Sequence, residues 1–390
     1  MKSSPLRKFA AACIVAAGFC FVTGMYILGL NDKNTTARDF IEYWAAEQQL
    51  IHHANPYDVT AILRIERSAG RESTKPAVTF SPPVAFIPAL PLGLVGAKTG
   101  LIAWLLFLLA SLALSTWILW HLRGCPPSRI HLFGYMFAPA LACLQAGQLG
   151  NFFLLGVVLF LYFHESRPFL AGAALLPCAL KPHLFLPIAI VLLLWIFNRK
   201  AYRILAGFSG ILLANWALTL PFDRHIWSEY AQMMRTTGVM DAFVPTLSGS
   251  FRFLIEPNAL WLQYLPEAAA CAWALWYFWT RRNRWNWLDQ GLLLLLVSVA
   301  CAPYAWFTDE SVLLPAVMFG IYRAAESRRS LLPIGLIAGV ALIEVFSAVQ
   351  ITSRLYLWTA PAWLAWYLYA TWSKGAPATE APSVAVSLAG

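Results

Sequence analysis

Of the 390 residues, 59% are hydrophobic and only 12% are charged, a balance that excludes an ordinary soluble domain and fits an all-α polytopic membrane protein. The formal charge of +9 does not point to nucleic acid, because the basic residues fall in short clusters between apolar runs, as cytoplasmic loops require. The seven cysteines form no C-x-x-C pair and lie mostly inside apolar runs, so they read as small core hydrophobes.

In chain order, Lys2, Arg7 and Lys8 precede an apolar stretch over 9–30, long enough to cross a bilayer and to remain as a first transmembrane helix that starts in the cytoplasm. Further apolar runs follow near 99–121, 132–147, 149–164, 168–180, 183–198, 204–221, 259–280, 287–306, 310–323, 331–350 and 355–373. Short basic loops occur at 123–129, Arg167, 198–203, 281–284 and 323–329, and all fall inside if the piece at 84–96 is re-entrant or interfacial. The expected arrangement is twelve spans, both termini inside, with a bacterial inner membrane as the setting. Outside then lie 31–98, 222–258 and the turns at 145–151, 180–183, 304–310 and 351–354. Residues 1–373 form one membrane domain, and the low-complexity end at 374–390 reads as a disordered cytoplasmic tail.

The 31–98 segment is long for a loop and poor in patterning for a separate domain, so it must pack on the bundle. Within it, Phe40, Ile41, Trp44 and Ala45 mark one apolar stripe of a helix, while Asp39, Glu42, Tyr43 and Glu47 take the rest, predicting an amphipathic helix at the interface. Thr36 and Asp39 also fit a capping box, a purely structural use of the acid. "NPYDV" at 55–59 and the Pro-rich "TFSPPVAFIPALPLG" at 79–93 follow, and non-helical backbone at membrane depth survives only in protein or beside a watery cavity.

The Asp-Phe-x-x-Tyr-Trp-Ala-Ala segment, Asn-Pro-Tyr, and Ser-Pro-Pro leading into "IPALPLGLV" resemble the family 87 glycosyltransferases. The likeness continues through "QAGQLGNFFLL" at 145–155, "LKPHLFLPIAI" at 180–190 and "APYAWFTDESVLLPA" at 302–316. These enzymes belong to the polyprenyl-phosphate-sugar-dependent GT-C superfamily, and the best known are bacterial α-mannosyltransferases. The resemblance implies a GT-C-type bundle of about 10–13 transmembrane helices, with interfacial helices in a long first outer loop. It implies an inverting hexosyltransferase with a lipid-linked sugar donor, a glycolipid or glycan acceptor, and a catalytic base at the position of Asp39.

The chemistry agrees with that position, since a carboxylate within hydrogen-bond reach can take the proton of a sugar hydroxyl as its oxygen attacks. The anionic lipid phosphate that leaves needs positive charge, for which Lys181, Arg252 and Arg354 are the candidates, with Arg224 and His183 on the same face. Lys181 sits at a Lys-Pro break between apolar runs; its structural alternative is snorkelling to the headgroups, and that of Arg252 is an exposed loop position. For sugar or acceptor binding the candidates are Tyr43, Tyr57, Gln148, Asn151, Trp306, Asp309 and Glu310, acids and amides beside aromatic walls. Asp309 could instead cap a short turn, and Gln148 and Asn151 could be polar glue between helices. Glu344 should face the bundle interior.

No Walker loop and no Asp-x-Asp metal motif occurs, and the His52-His53 pair has no ligand partner at a convincing spacing. A cofactor is therefore not assigned; a divalent metal has no motif behind it. Two rival classes stay open from the residues: a lipid-linked-sugar transporter or flippase lined by Lys181 and Glu344, and a non-catalytic assembly subunit. Against the transporter, no second pair of broken helices repeats the first.

Overall fold

A computed structural model describes residues 38–236, 244, 246–326 and 356–372. The expected first membrane helix, Thr36, Glu344, Arg354, the run at 331–350 and the tail lie outside the described residues.

Every regular element described is helical, and the order is set by proline and glycine punctuation. Helix α1 (Phe40–Ile51) and α2 (Val59–Ser68) open the chain, followed by short helical turns over Pro83–Leu94. Then come α3 (Ala97–Leu122), α4 (Ala138–Ala146), α5 (Gly150–Phe163), α6 (Pro168–Ala173), α7 (Leu186–Arg199) and α8 (Tyr202–Thr219). The remainder comprises α9 (Ile226–Thr236), α10 (Leu247–Ile255), α11 (Leu265–Arg281), α12 (Leu292–Ala300), α13 (Leu314–Glu326) and α14 (Thr359–Trp372).

Among the described residues only α3, at 26 residues, is long and apolar enough to cross a bilayer by itself. Several runs expected to be continuous are interrupted, which shortens the helices. The 132–147 run breaks at Phe137, held extended ahead of Pro139 in the first turn of α4. Pro177 and Pro182 likewise split the stretch between α6 and α7 into short 3-10 turns, because proline removes a backbone donor and crowds the preceding turn. The 287–306 run ends at Ala300, three residues before Pro303. Cys143 and Cys178 are buried as expected, but Cys125 is exposed, in a turn where its φ is +53°.

Helix α1 departs from the one-sided pattern. Tyr43 and Glu47 are buried together with Phe40, Ile41, Trp44 and Leu50, so the helix is enclosed on most of its circumference. The Pro-rich segment folds closely against α1: a Cβ at Gly93 would meet the Glu47 carbonyl at 2.7 Å, the Trp44 indole N–H donates to the Val95 carbonyl at 2.9 Å, and Gln48 donates to the carbonyl of Gly93. On the opposite side Tyr43 stacks on Trp104 of α3, with ring centres 5.3 Å apart. A helix so clamped is a rigid platform for whatever its N-terminus presents.

Candidate active site

Asp39 stands at the N-cap of α1, where a negative charge is favoured by the helix dipole, yet its side chain bonds none of the helix N–H groups. Asp39 therefore does not cap α1, and the capping box it could form with Thr36 falls outside the described residues. It is exposed, and its Oδ2 accepts a 2.7 Å hydrogen bond from Gln148 Nε2. Gln148 Oε1 in turn accepts from the Tyr43 hydroxyl at 2.9 Å, which fixes the amide orientation: oxygen toward Tyr43, NH2 toward the carboxylate.

Gln148 reaches Asp39 because of the turn between α4 and α5. Gly147 adopts φ +72°, a conformation costly for other residues, and a Cβ there would meet Phe40 Cβ at 2.9 Å. The same turn accepts from the Trp104 indole through the Gly147 carbonyl and from the Asp39 backbone N–H through the Ala146 carbonyl. Three residues on, Gly150 lets the backbone of Thr308 press against the start of α5, bringing the 302–313 segment to the same place.

That segment carries Asp309, fully buried and paired with Lys181, whose Nζ lies 2.8 Å from each carboxylate oxygen. Asp309 also accepts from the Trp306 N–H at 2.9 Å, closing a cap on the turn, so its two readings coexist. Burial alone would lower the Lys181 pKa, but Asp309 beside it more than offsets this and holds the ammonium above its ordinary range. Snorkelling is thereby replaced by a buried ion pair. His183 sits edge-on to Tyr304, with ring centres 5.8 Å apart, and burial followed by the Lys181 charge pushes its pKa down to about 4. It is a neutral imidazole at physiological pH, not the cation the sequence suggested.

Two residues overlooked by the sequence reading complete the cluster. Arg38, partly buried beside Asp39, uses one guanidinium nitrogen on the Leu144 carbonyl at 3.1 Å. Glu42 lies half-buried one turn into α1, and burial, followed by the charge of Asp39, raises its pKa to about 8. The signal for Glu42 was present as its i, i+3 spacing from Asp39, but only the tertiary cover over α1 converts a solvated acid into a neutral one. Unfolded, Glu42 would lose its proton near 4.5, so stability should fall as pH rises from about 5 to about 8. Thermal unfolding of purified protein across that range should show a shallower decline in Glu42→Gln, by roughly a few °C at the alkaline end. Parallel wild-type and variant curves would contradict the assignment.

The other candidates fall into supporting positions. Arg252 is buried, not exposed: its Nε donates to the Pro257 carbonyl at 2.7 Å and its Nη1 to Gln263 Oε1 at 2.9 Å. Gln263 then donates to the Pro303 carbonyl, so Arg252 braces the segment leading to Tyr304 and Asp309. Tyr57 is buried, donates to the Ser81 carbonyl at 2.8 Å and packs on Phe86 and Tyr230. Asn151 joins α5 to α4 through the Ala140 carbonyl, the glue role allowed for it. Trp306 donates its indole N–H to the Tyr304 hydroxyl, and buried Glu310 accepts from Thr359 of α14 at 2.6 Å. Among the described residues, no group of three or more His, Cys, Asp or Glu is placed to hold a metal ion.

An exposed carboxylate thus stands at the N-terminus of α1, oriented by an amide that a phenol holds in place. The chain belongs to glycosyltransferase family 87, whose model matches residues 80–303. The matched span includes Gln148, Asn151, Lys181, His183 and Arg252, whereas Asp39 and Tyr43 precede it and Asp309 follows it. The family is membrane-associated, and membership makes this a glycosyltransferase with a sugar donor and an acceptor. No curated protein and no solved structure matches the chain.

Proposed function

We propose that the protein transfers a sugar, mannose or another hexose or pentose, from a polyprenyl-phosphate donor to a glycolipid or glycan acceptor at the outer face of the membrane. The supporting observation is the carboxylate of Asp39, exposed and held by Gln148 but unused as a helix cap. In this reaction the acceptor oxygen attacks the anomeric carbon while Asp39 takes its proton. The bond from that carbon to the phosphate oxygen breaks, and the electron pair leaves with the lipid phosphate, giving inversion. Arg38 is the cation nearest in sequence to the base and has donor capacity beyond its bond to Leu144, which suits it to the leaving phosphate. Lys181, already neutralised by Asp309, acts chiefly by fixing the wall of the site.

The twelve-span arrangement with the basic loops inside puts Asp39, the Gln148 turn, the Lys181 break and Asp309 on the outer side together, where a polyprenyl chain would hold its sugar at the interface. Purified protein incubated with a panel of polyprenyl-phosphate sugars and, in parallel, nucleotide sugars should release polyprenyl phosphate from a lipid donor in the presence of acceptor. Transfer from nucleotide sugars alone would overturn the donor class while leaving the family membership untouched.

A further inference from the structure

Helices α5 and α7, each roughly 20 Å long, and the shorter α12, roughly 13 Å, have one end at the candidate active site and the other at a second feature. There, a cavity of about 260 Å³ is lined by His164 and Glu165 after α5, Trp195 and Arg199 of α7, and Trp285, Asn286 and Trp287 ahead of α12. Its floor is aromatic. Trp287 meets both Trp195 and Trp285 edge to face, with ring centres 5.8 and 5.6 Å apart, and all three indoles are buried. None of the three indole N–H groups has a hydrogen-bond acceptor, a concentration of unmet donors that a folded interior ordinarily avoids.

The rim is polar and carries both signs. Arg199 makes no ion pair among the described residues, and Glu165, its side chain 87% exposed, has only the nearby His164 at 3.7 Å. Asn286 spends its side-chain oxygen on the Leu288 N–H, which turns its NH2 group into the available donor. Two opposite charges at one pocket that do not pair with each other suit a ligand with two opposite charges of its own. Beside the pocket, α7 and α11 expose Leu193, Phe197, Trp276 and Trp279, an apolar surface that acyl chains can follow.

We propose that this pocket binds the headgroup of a zwitterionic phospholipid, its phosphate on Arg199 and the Asn286 amide and its ammonium on Glu165 and the indole faces. The assignment rests on the multi-pass reading above, which places this end of the bundle beside the basic loops at Arg167, 198–203 and 281–284, at the cytoplasmic leaflet. A cation over an indole face gains further attraction. No part of the sugar-transfer chemistry involves the pocket.

Isothermal titration of the full chain in a maltoside detergent tests this with dihexanoyl phosphatidylethanolamine as probe. Saturable binding is expected, weakened about tenfold or more in Arg199→Gln and in Glu165→Gln. Dihexanoyl phosphatidylglycerol, which lacks the ammonium, should be insensitive to Glu165→Gln. Undiminished binding of phosphatidylethanolamine by both variants, or none by the wild type, would overturn the site. Equal affinity for free O-phosphoethanolamine would overturn the lipid as its source. Asp39→Asn should bind the lipid as wild type does, so a failure here is separable from a failure of the proposed transferase mechanism.

Discussion

Lys181→Met should destabilise the protein by about 3–5 kcal/mol, because it strands the carboxylate of Asp309 in a fully buried position without its counter-ion. The remaining bond from the Trp306 N–H is a single neutral donor and does not compensate a buried charge. Removing both partners is a different matter. Lys181→Met combined with Asp309→Leu takes away two desolvation costs along with the attraction, so most of the loss should return. Equilibrium or thermal unfolding of the wild type, both single variants and the double variant gives the coupling directly. If Lys181→Met unfolds like the wild type, the ion pair is not holding the site, and Lys181 returns as a direct ligand for the donor phosphate. The pairing also means that a raised Michaelis constant for donor in Lys181→Met alone would not identify a phosphate contact.

Much of the architecture was legible as apolar runs. Helix α3 at Ala97–Leu122 matches the expected 99–121, and α5 at Gly150–Phe163 matches 149–164, because neither contains proline to interrupt a continuous hydrophobic stretch. Where proline or a neighbouring extended residue intervenes, the runs overestimated helix length, as at Phe137 before Pro139 and around Pro177 and Pro182. Periodicity also misjudged α1. A period of 3.6 identifies which residues share a face, but it cannot say that residues 83–95 will fold back beside Glu47 or that Trp104 will cover Tyr43.

Within the site, Asp39 could be named through the family resemblance, and Tyr43, Gln148, Lys181 and Asp309 because polar groups are conspicuous in so apolar a chain. Their pairing could not. Tyr43 and Gln148 are 105 positions apart and Lys181 and Asp309 are 128 apart, and no local rule links them. Around Tyr57 the structure shows local chemistry: Asn55 Oδ1 accepts from the Tyr57 N–H and Asp58 caps α2 through Thr60 and Ala61, so the "NPYD" backbone follows turn and cap rules. Arg38 and Glu42 were passed over because flanking charges on a helix ordinarily face water, and only the enclosure of α1 makes them part of a site.

Asp39→Asn should lower turnover by about a hundredfold or more, the loss expected when a general base is removed from proton transfer. Asparagine keeps the size of the side chain and an oxygen for Gln148 to donate to, so the arrangement of the Tyr43–Gln148 pair should survive. A helix-capping role for the same residue would predict the reverse pattern, about 1 kcal/mol of lost stability with near-normal turnover. The deciding measurement is acceptor-dependent release of polyprenyl phosphate by wild type and Asp39→Asn side by side, under conditions where chemistry limits the rate and donor binding is verified separately. The mechanism predicts release reduced to about a hundredth or less with donor affinity and unfolding midpoint unchanged. A variant that retains more than about a tenth of wild-type release would contradict it, because a missing base cannot leave that much of the rate in place.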